Sequence, residues 1–548
     1  MKNINKYFVA IFLVFTIIVT SCEKYLDISQ QGVQSIDNFY KTDEQALNAL
    51  ADIYVEWRNN LVGTHVIGPY LEYMSGDCFP GWANMGDNSG MATAMYSFTF
   101  DGEMRNSSFY TGPAGMVRRT NTVLARVEPD TPAKRRVLAE CRVIRAWAYS
   151  YLAFFFGDVP LYEEEITVSN AARASSPVAE VWDFVNKDFE TAINSGDLPS
   201  KSSVGDKGNA LRVTKEATQA LYGKMLLWQE KWSESANFLK TVINSGKYQL
   251  LGDDQLHNHN GEPDFGYVVR ATTSLGSESL LELNSKPDQN GNSGPGAYGG
   301  GFAWRTDQLR HNGGNFIYLP EYDLAGVGNG GLGTCKKSLY DAFVEMEGPN
   351  GFRLKGSIVT WEEMQAIGVS INGIYYCTEG YWDIKWRRMR SESGSWTWGT
   401  GNESPFSPLR IMRYGEVLLN AAEACMRSND AASALTYINI IRERAHLAPL
   451  ASVTLTDIKK EKRLELYKEG SRYIDLLRWE KLNDQDGITA SNILGEQGHY
   501  LPNFDGVTVN NQAFVLTQFG WKKGKHELMP IPVAELNANP HLTQNPGW

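Results

Sequence analysis

The chain has 548 residues, 42% of them hydrophobic and 12% aromatic, ample for a large core or several domains, and its formal charge is −11. That acidity argues against nucleic acid as a partner and against flat binding on anionic lipid. The six cysteines contain no C-x-x-C spacing, so disulfides are not the main framework.

At the N-terminus, Lys2 and Lys6 precede an apolar run from Tyr7 to Thr20. It is shorter than the ~20 residues a spanning helix needs and has the layout of a secretory signal. It ends Val19-Thr20-Ser21-Cys22, which resembles the lipobox of bacterial lipoproteins. That resemblance implies cleavage before Cys22, acylation of its thiol, and a chain anchored by lipid without a spanning helix. Residues 1–21 carry two lysines and no acids, so the mature chain has a charge of −13. Export places Cys78, Cys141, Cys335, Cys377 and Cys425 in an oxidising compartment, where at most two pairs can form; the sequence does not choose them.

From Val137 to Phe155, apolar residues recur every three or four positions, predicting a helix stopped by Gly157 and Pro160 in "FFGDVPL". Residues 176–196 predict a second, capped by Ser176, with Pro177 in its first turn and Gly196 at its close. Residues 213–246 read as two helices joined around Glu230–Lys231, and 413–445 as two broken at Ser428-Asn429-Asp430. Ala236 and Ala434 sit where the second helix packs on the first, as in tetratricopeptide units, although the full consensus is not met. A hairpin of this kind cannot bury its apolar face alone, so hairpins stack. Between about 250 and 410, Gly, Asn, Ser and Trp dominate, favouring turns and long loops on a rigid scaffold. The expected organisation is a leader at 1–21 followed by one unit at 22–548: scaffold at 22–250, a loop-rich ligand-binding part at 251–410, and scaffold at 411–548.

Six blocks, in order, resemble the SusD/RagB family of outer-membrane nutrient-binding lipoproteins. They are "CEKYLDISQQGVQSIDNFYKTDEQALNALADIY", "CRVIRAWAYSYLAFFFGDVPL", "VTKEATQALYGKMLLWQEKWSESANFLKTVINSGKYQLL", "RYGEVLLNAAEACMRSNDAASALTYINIIRERA", "IKKEKRLELYKEGSRYIDLLRW" and "LMPIPVAELNANPHLTQNPGW". The resemblance implies a mainly α fold, a tetratricopeptide-like scaffold carrying an irregular binding half. It also implies a lipoprotein on the exterior of a Gram-negative outer membrane, partnered with a SusC-type TonB-dependent transporter. The ligand it implies is an oligomer, often a glycan and sometimes a peptide; the loop tryptophans favour an oligosaccharide or polysaccharide fragment, with neither catalysis nor cofactor expected.

A sugar ring offers a C–H face to an aromatic side chain and hydroxyls to polar neighbours. Trp147, Trp182, Trp228 and Trp479 fall in helical patterns and read as scaffold. Trp82, Trp304, Trp396 and Trp398 lie among glycines in loops and are the candidate stacking residues, with Asp77, Asn84, Tyr298 and Arg305 as candidate hydrogen-bonding neighbours. In each case the competing reading is a ring or polar group that pins a loop to the scaffold.

Other patterns are weaker. Glu461, Arg463, Glu465, Glu469, Arg472, Asp475 and Arg478 alternate in sign at helical spacing, predicting an ion-pair network rather than an active site. "GVGNGG" (326–331) follows no clear strand and opens no helix, so it does not read as a dinucleotide loop. His257, His259 and Glu262 lack a further zinc ligand, and the calcium-like start at 288–294 has Ser293 and Gly299 where Gly and Glu belong. "EEE" at 163–165 reads as solvated surface, and no facing carboxylate pair favours a glycoside hydrolase. A peptide ligand, or a pure protein-interaction scaffold, are the remaining alternatives.

Overall fold

The computed structural model describes residues 39–548 except 62–66, 81–88, 104–107, 209–210, 259, 284–317, 320–323, 326–333, 368–374, 387–407, 496–499 and 516–519. Its helices of ten residues or more are α1 (Asp43–Leu61), α2 (Ser108–Arg126), α3 (Pro132–Phe156), α4 (Val178–Asn194), α5 (Lys215–Trp228), α6 (Trp232–Asn244), α7 (Lys337–Glu347), α8 (Tyr414–Arg427), α9 (Ala431–Arg444), α10 (Leu455–Glu465) and α11 (Arg472–Lys481). The fold is mainly helical. The pairs α2/α3, α5/α6 and α8/α9 are hairpins, and α6 packs against α8 so that the last two stack.

Both predicted hairpin turns share one geometry. Glu230 and Asn429 have φ of 64° and 65°. The next residue's N–H reaches back to the last turn, Lys231 to Leu226 (3.0 Å) and Asp430 to Cys425 (2.8 Å). This is the Schellman closure, which satisfies carbonyls that the helix end leaves open. Ala236 and Ala434 are buried as expected, and Gly223 is a third close-packing point: a Cβ there would lie 2.7 Å from Leu239 Cγ.

Helix α3 is longer than its apolar spacing suggests, because Thr131 caps it by accepting from Lys134 N–H and Pro132 opens it. Its rings join the scaffold together. Trp147 lies 5.1 Å from Trp57 of α1 and 4.2 Å from Tyr151, while Phe154 lies 4.8 Å from Trp228 of α5. The expected Ser176 cap on α4 is not what the structure shows. Pro177 occupies the cap position without a side-chain bond, and Asp158, from the turn after α3, accepts from Val178 N–H at 2.8 Å instead. An isolated bridge between Val159 and Ser176 brings the two segments together.

The region 251–410 also holds regular structure. Ser279–Leu283 pairs antiparallel with Leu409–Arg413, Ile358–Thr360 with Tyr381–Asp383, and α7 buries Leu339 and Phe343. The C-terminal segment is bonded to the end of α3. Gln544 makes a paired bond with the backbone of Ile531, and Asn545 donates to the carbonyls of Phe156 (3.0 Å) and Met529 (2.7 Å).

Candidate functional site

Trp82, Asn84, Tyr298, Trp304, Arg305, Trp396 and Trp398 lie outside the described residues, as do Cys22 and the stretches 288–299 and 326–331. Asp77 is described. It is 3% exposed, and its Oδ1 accepts from Arg463 Nη2 (2.6 Å) and Nε (3.0 Å), with Arg472 Nε 3.9 Å from Oδ2. The carboxylate is therefore committed to α10 and buried, a structural role where the sequence suggested a ligand contact.

Around Asp77 the bases of several long segments converge. Asp77 carbonyl accepts from Lys336 N–H (3.0 Å), and Phe79 N–H donates to Thr334 carbonyl (2.9 Å). The Phe79 ring lies 6.1 Å from Tyr96 and 5.7 Å from Tyr500. The Lys336 ammonium sits 4.8 Å from the Tyr96 ring centre and 5.5 Å from that of Phe79, a cation held against two aromatic rings. Burial pulls its pKa down to about 8, with Asp77 opposing that shift. Tyr96 hydroxyl donates to Tyr500 carbonyl (3.0 Å), and Tyr500 hydroxyl to Glu379 (2.7 Å). The result is an aromatic cluster locked by hydrogen bonds, built from residues 77–79, 96, 334–337, 379 and 500. The sequence offered no signal for it, since each member comes from a different block.

A separate cavity of about 1190 Å³ lies on the scaffold, lined among others by Phe154, Trp182, Trp228, Trp232, Leu477 and His541. Trp147, Trp228 and Trp479 are buried, as their helical positions predicted, whereas Trp182 is half-buried and lines this cavity.

The charged run forms the predicted network and extends well beyond it. Glu465 is bridged by Arg353 (3.3 Å), Arg413 (2.7 Å) and Arg444. Arg353 also binds Glu347 and Glu461, each at 2.5 Å. Arg413 also binds Glu278 and Glu469, each at 2.6 Å, and Glu469 takes Lys385 at 2.6 Å. The three guanidinium groups hold the Glu465 carboxyl far below the usual range despite its burial. Glu423 plays the same part for Arg478 (2.8 Å) and Lys462 (2.9 Å), and also accepts from Trp479 Nε1. Each of these buried carboxylates is paired with several cations, so removing one partner would leave an uncompensated buried charge.

Elsewhere, Asn258 organises the loop between His257 and Glu262, its side chain accepting from Asn260 and Glu262 N–H. No group of three metal-ligating side chains occurs among the described residues, and His259 lies outside them. Glu163, Glu164 and Glu165 pair with Lys187, Arg173 and Arg126, and the first two are largely exposed. No described helix is long and apolar enough to cross a membrane.

The profile of the SusD family matches residues 373–548, and one described as "Starch-binding associating with outer membrane" matches residues 25–227. The chain belongs to the SusD/RagB family. Among SusD-like relatives, the Bacteroides thetaiotaomicron "Starch-binding protein SusD" is 22% identical over 97% of this chain and 96% of its own. A "SusD-like protein" of Bacteroides ovatus is 24% identical over 83% of this chain and 79% of its own. Among solved structures, a "Laminarin binding SusD-like protein" superposes with a TM-score of 0.74 at 24% identity, over 93% of this chain and all of that one. "Surface glycan-binding protein A from Bacteroides thetaiotaomicron in complex with laminarihexaose" does so at 0.70 and 21%, over 92% of this chain and all of that one.

Proposed function

We propose that this SusD-like chain is a cell-surface lipoprotein that binds oligosaccharides at the outer membrane and delivers them to a SusC-type TonB-dependent transporter. The observation that carries this reading is the whole-length likeness to a laminarin-binding SusD-like protein, a surface glycan-binding protein in complex with laminarihexaose and a starch-binding SusD protein. The leader ending before Cys22 supports a lipid anchor, and the match over residues 25–227 to a family associating with the outer membrane supports that location. A binding protein rather than an enzyme accords with the saturated ion pairs of Glu465 and Glu423.

Ligand contact is assigned to the loop tryptophans Trp82 and Trp304, then Trp396 and Trp398, with Asn84, Tyr298 and Arg305 beside them. Rings flanked by glycine present stacking faces with few torsions to freeze. Trp82 follows Phe79 of the aromatic cluster by three residues in sequence.

Isothermal calorimetry on the chain from residue 23 onward, against glycan and peptide panels that include laminarihexaose, tests this. One glycan class is expected to bind, with Trp82→Ala or Trp304→Ala weakening it at least tenfold, about 1.4 kcal/mol or more. Binding to peptides alone would overturn the choice of ligand.

A further inference from the structure

We propose that Cys78 and Cys335 are built to form a cross-strand disulfide that ties the segment leading to residue 82 to the segment preceding α7. The two residues face each other in an isolated antiparallel bridge. The flanking bonds, Phe79 N–H to Thr334 carbonyl (2.9 Å) and Lys336 N–H to Asp77 carbonyl (3.0 Å), straddle the pair rather than joining it. Cys78 and Cys335 are thus a non-hydrogen-bonded pair, the close kind, in which Cα atoms lie about 4.5 Å apart and both side chains leave the same face. Disulfides span Cα separations of about 4.4–6.8 Å, so the backbone already meets the requirement.

The side chains agree with the backbone. Both cysteines are fully buried in one small apolar cluster with Leu339, Phe343, Leu464 and Tyr467. In the structure both are thiols. Cys335 Sγ lies 2.8 Å from the Tyr467 hydroxyl, and burial raises its thiol pKa well above the ordinary value. Cys141 and Cys425, also thiols, lie on the helices α3 and α8 and in the main core, away from this cluster.

The oxidant required is a disulfide-bearing dithiol carrier or oxidised glutathione. The thiolate of one cysteine attacks a sulfur of the oxidant's disulfide and expels its other thiolate. The second cysteine's thiolate then attacks the mixed disulfide at the protein sulfur and releases the remaining thiolate. The chain loses two electrons, the oxidant's disulfide becomes two thiols, and the two protons pass to the departing thiolates. Because both sulfurs are buried in the folded state, the bond forms while the chain folds, before α7 and Tyr467 close over it.

That the cell supplies an oxidising compartment rests on the export proposed above; whether the pair forms is tested apart from it. The chain from residue 23 onward is refolded from urea in a glutathione redox buffer. Remaining thiols are alkylated, and the unreduced protein is digested and mapped by mass. A linked peptide containing Cys78 and Cys335, lighter by two hydrogens than its parts, is expected. Reduction should lower the unfolding midpoint by about 5 °C, and a Cys78→Ala/Cys335→Ala variant should show no such response. Alkyl groups on both cysteines of the refolded protein, or linkage of either to Cys377, would overturn the proposal. The mapping on the unsubstituted chain decides even if the variant fails to fold.

Discussion

Glu465 is where three buried guanidinium groups meet, and its removal leaves Arg353, Arg413 and Arg444 mutually repelling in a dry interior. Glu465→Ala is expected to cost about 3–5 kcal/mol in urea unfolding. Glu345→Ala, at an exposed pair with Lys460, should change stability by less than about 1 kcal/mol. His526 makes a pH-dependent contribution. Its Nδ1 accepts from Lys522 N–H at 2.7 Å, its ring lies 5.3 Å from Trp548, and burial lowers its pKa to about 3. The unfolded imidazole takes a proton near pH 6.5 and the folded one only near 3, so across that window the unfolded state binds more protons and stability falls as pH drops. The loss is about 1.4 kcal/mol per pH unit, roughly 2 kcal/mol from pH 6.5 to 5. Urea midpoints between pH 7 and 5 should show that slope in the natural chain and a flatter one in His526→Gln. The acid–base alternation at 461–478 was legible because its spacing is local. The cations it serves were not, because Arg353, Lys385 and Arg413 lie 52–112 residues away in sequence from Glu465 and Glu469, which they bind.

At the scale of elements, helical hairpins were the most readable feature, since an apolar face and its turn lie within one short window. The turn positions at 230 and 429 were visible as breaks, though not as the left-handed residues that make both turns alike. Caps supplied from a distance escaped, as Asp158 on α4 did. Helix α7 in the loop-rich stretch had a readable signal, Leu339 and Phe343 at a four-residue spacing, hidden by the glycines around it. The approach of α5 to α6 depends on Gly223. Helix propensity alone favours a residue with a Cβ there by up to about 1 kcal/mol. Contact opposes it more strongly, because the added carbon would fall 2.7 Å from Leu239 Cγ and 2.9 Å from Cδ2, and Leu239 is fully buried. Gly223→Val should therefore destabilise the chain by about 2 kcal/mol or more, measured by thermal unfolding.

At the scale of the whole molecule, the family was legible because its blocks are spread along the chain in fixed order. The ligand contacts proposed above were not, since the sequence around them carries no positional motif. Asp77 shows the difficulty: polar and beside a glycine-rich loop in sequence, it is in space the partner of Arg463. Anchoring belongs to this scale too. If Cys22 carries the lipid, Cys22→Ala should move the chain from the membrane pellet to the soluble fraction without altering its glycan affinity; retention in the pellet would remove the anchor from the account.

The bonding of the C-terminal segment to α3 has a consequence for biogenesis. Met529 N–H donates to Phe155 carbonyl, Val533 N–H to Gly102 carbonyl, and Asn545 to Phe156 carbonyl, contacts spanning almost four hundred residues or more. Helix α3 finds its final partners only after the region beyond residue 529 has been synthesised. Pairings so distant are slow to form because the intervening chain must first be ordered. The end of α3 therefore stays without these backbone partners until the last twenty or so residues of the chain have been made.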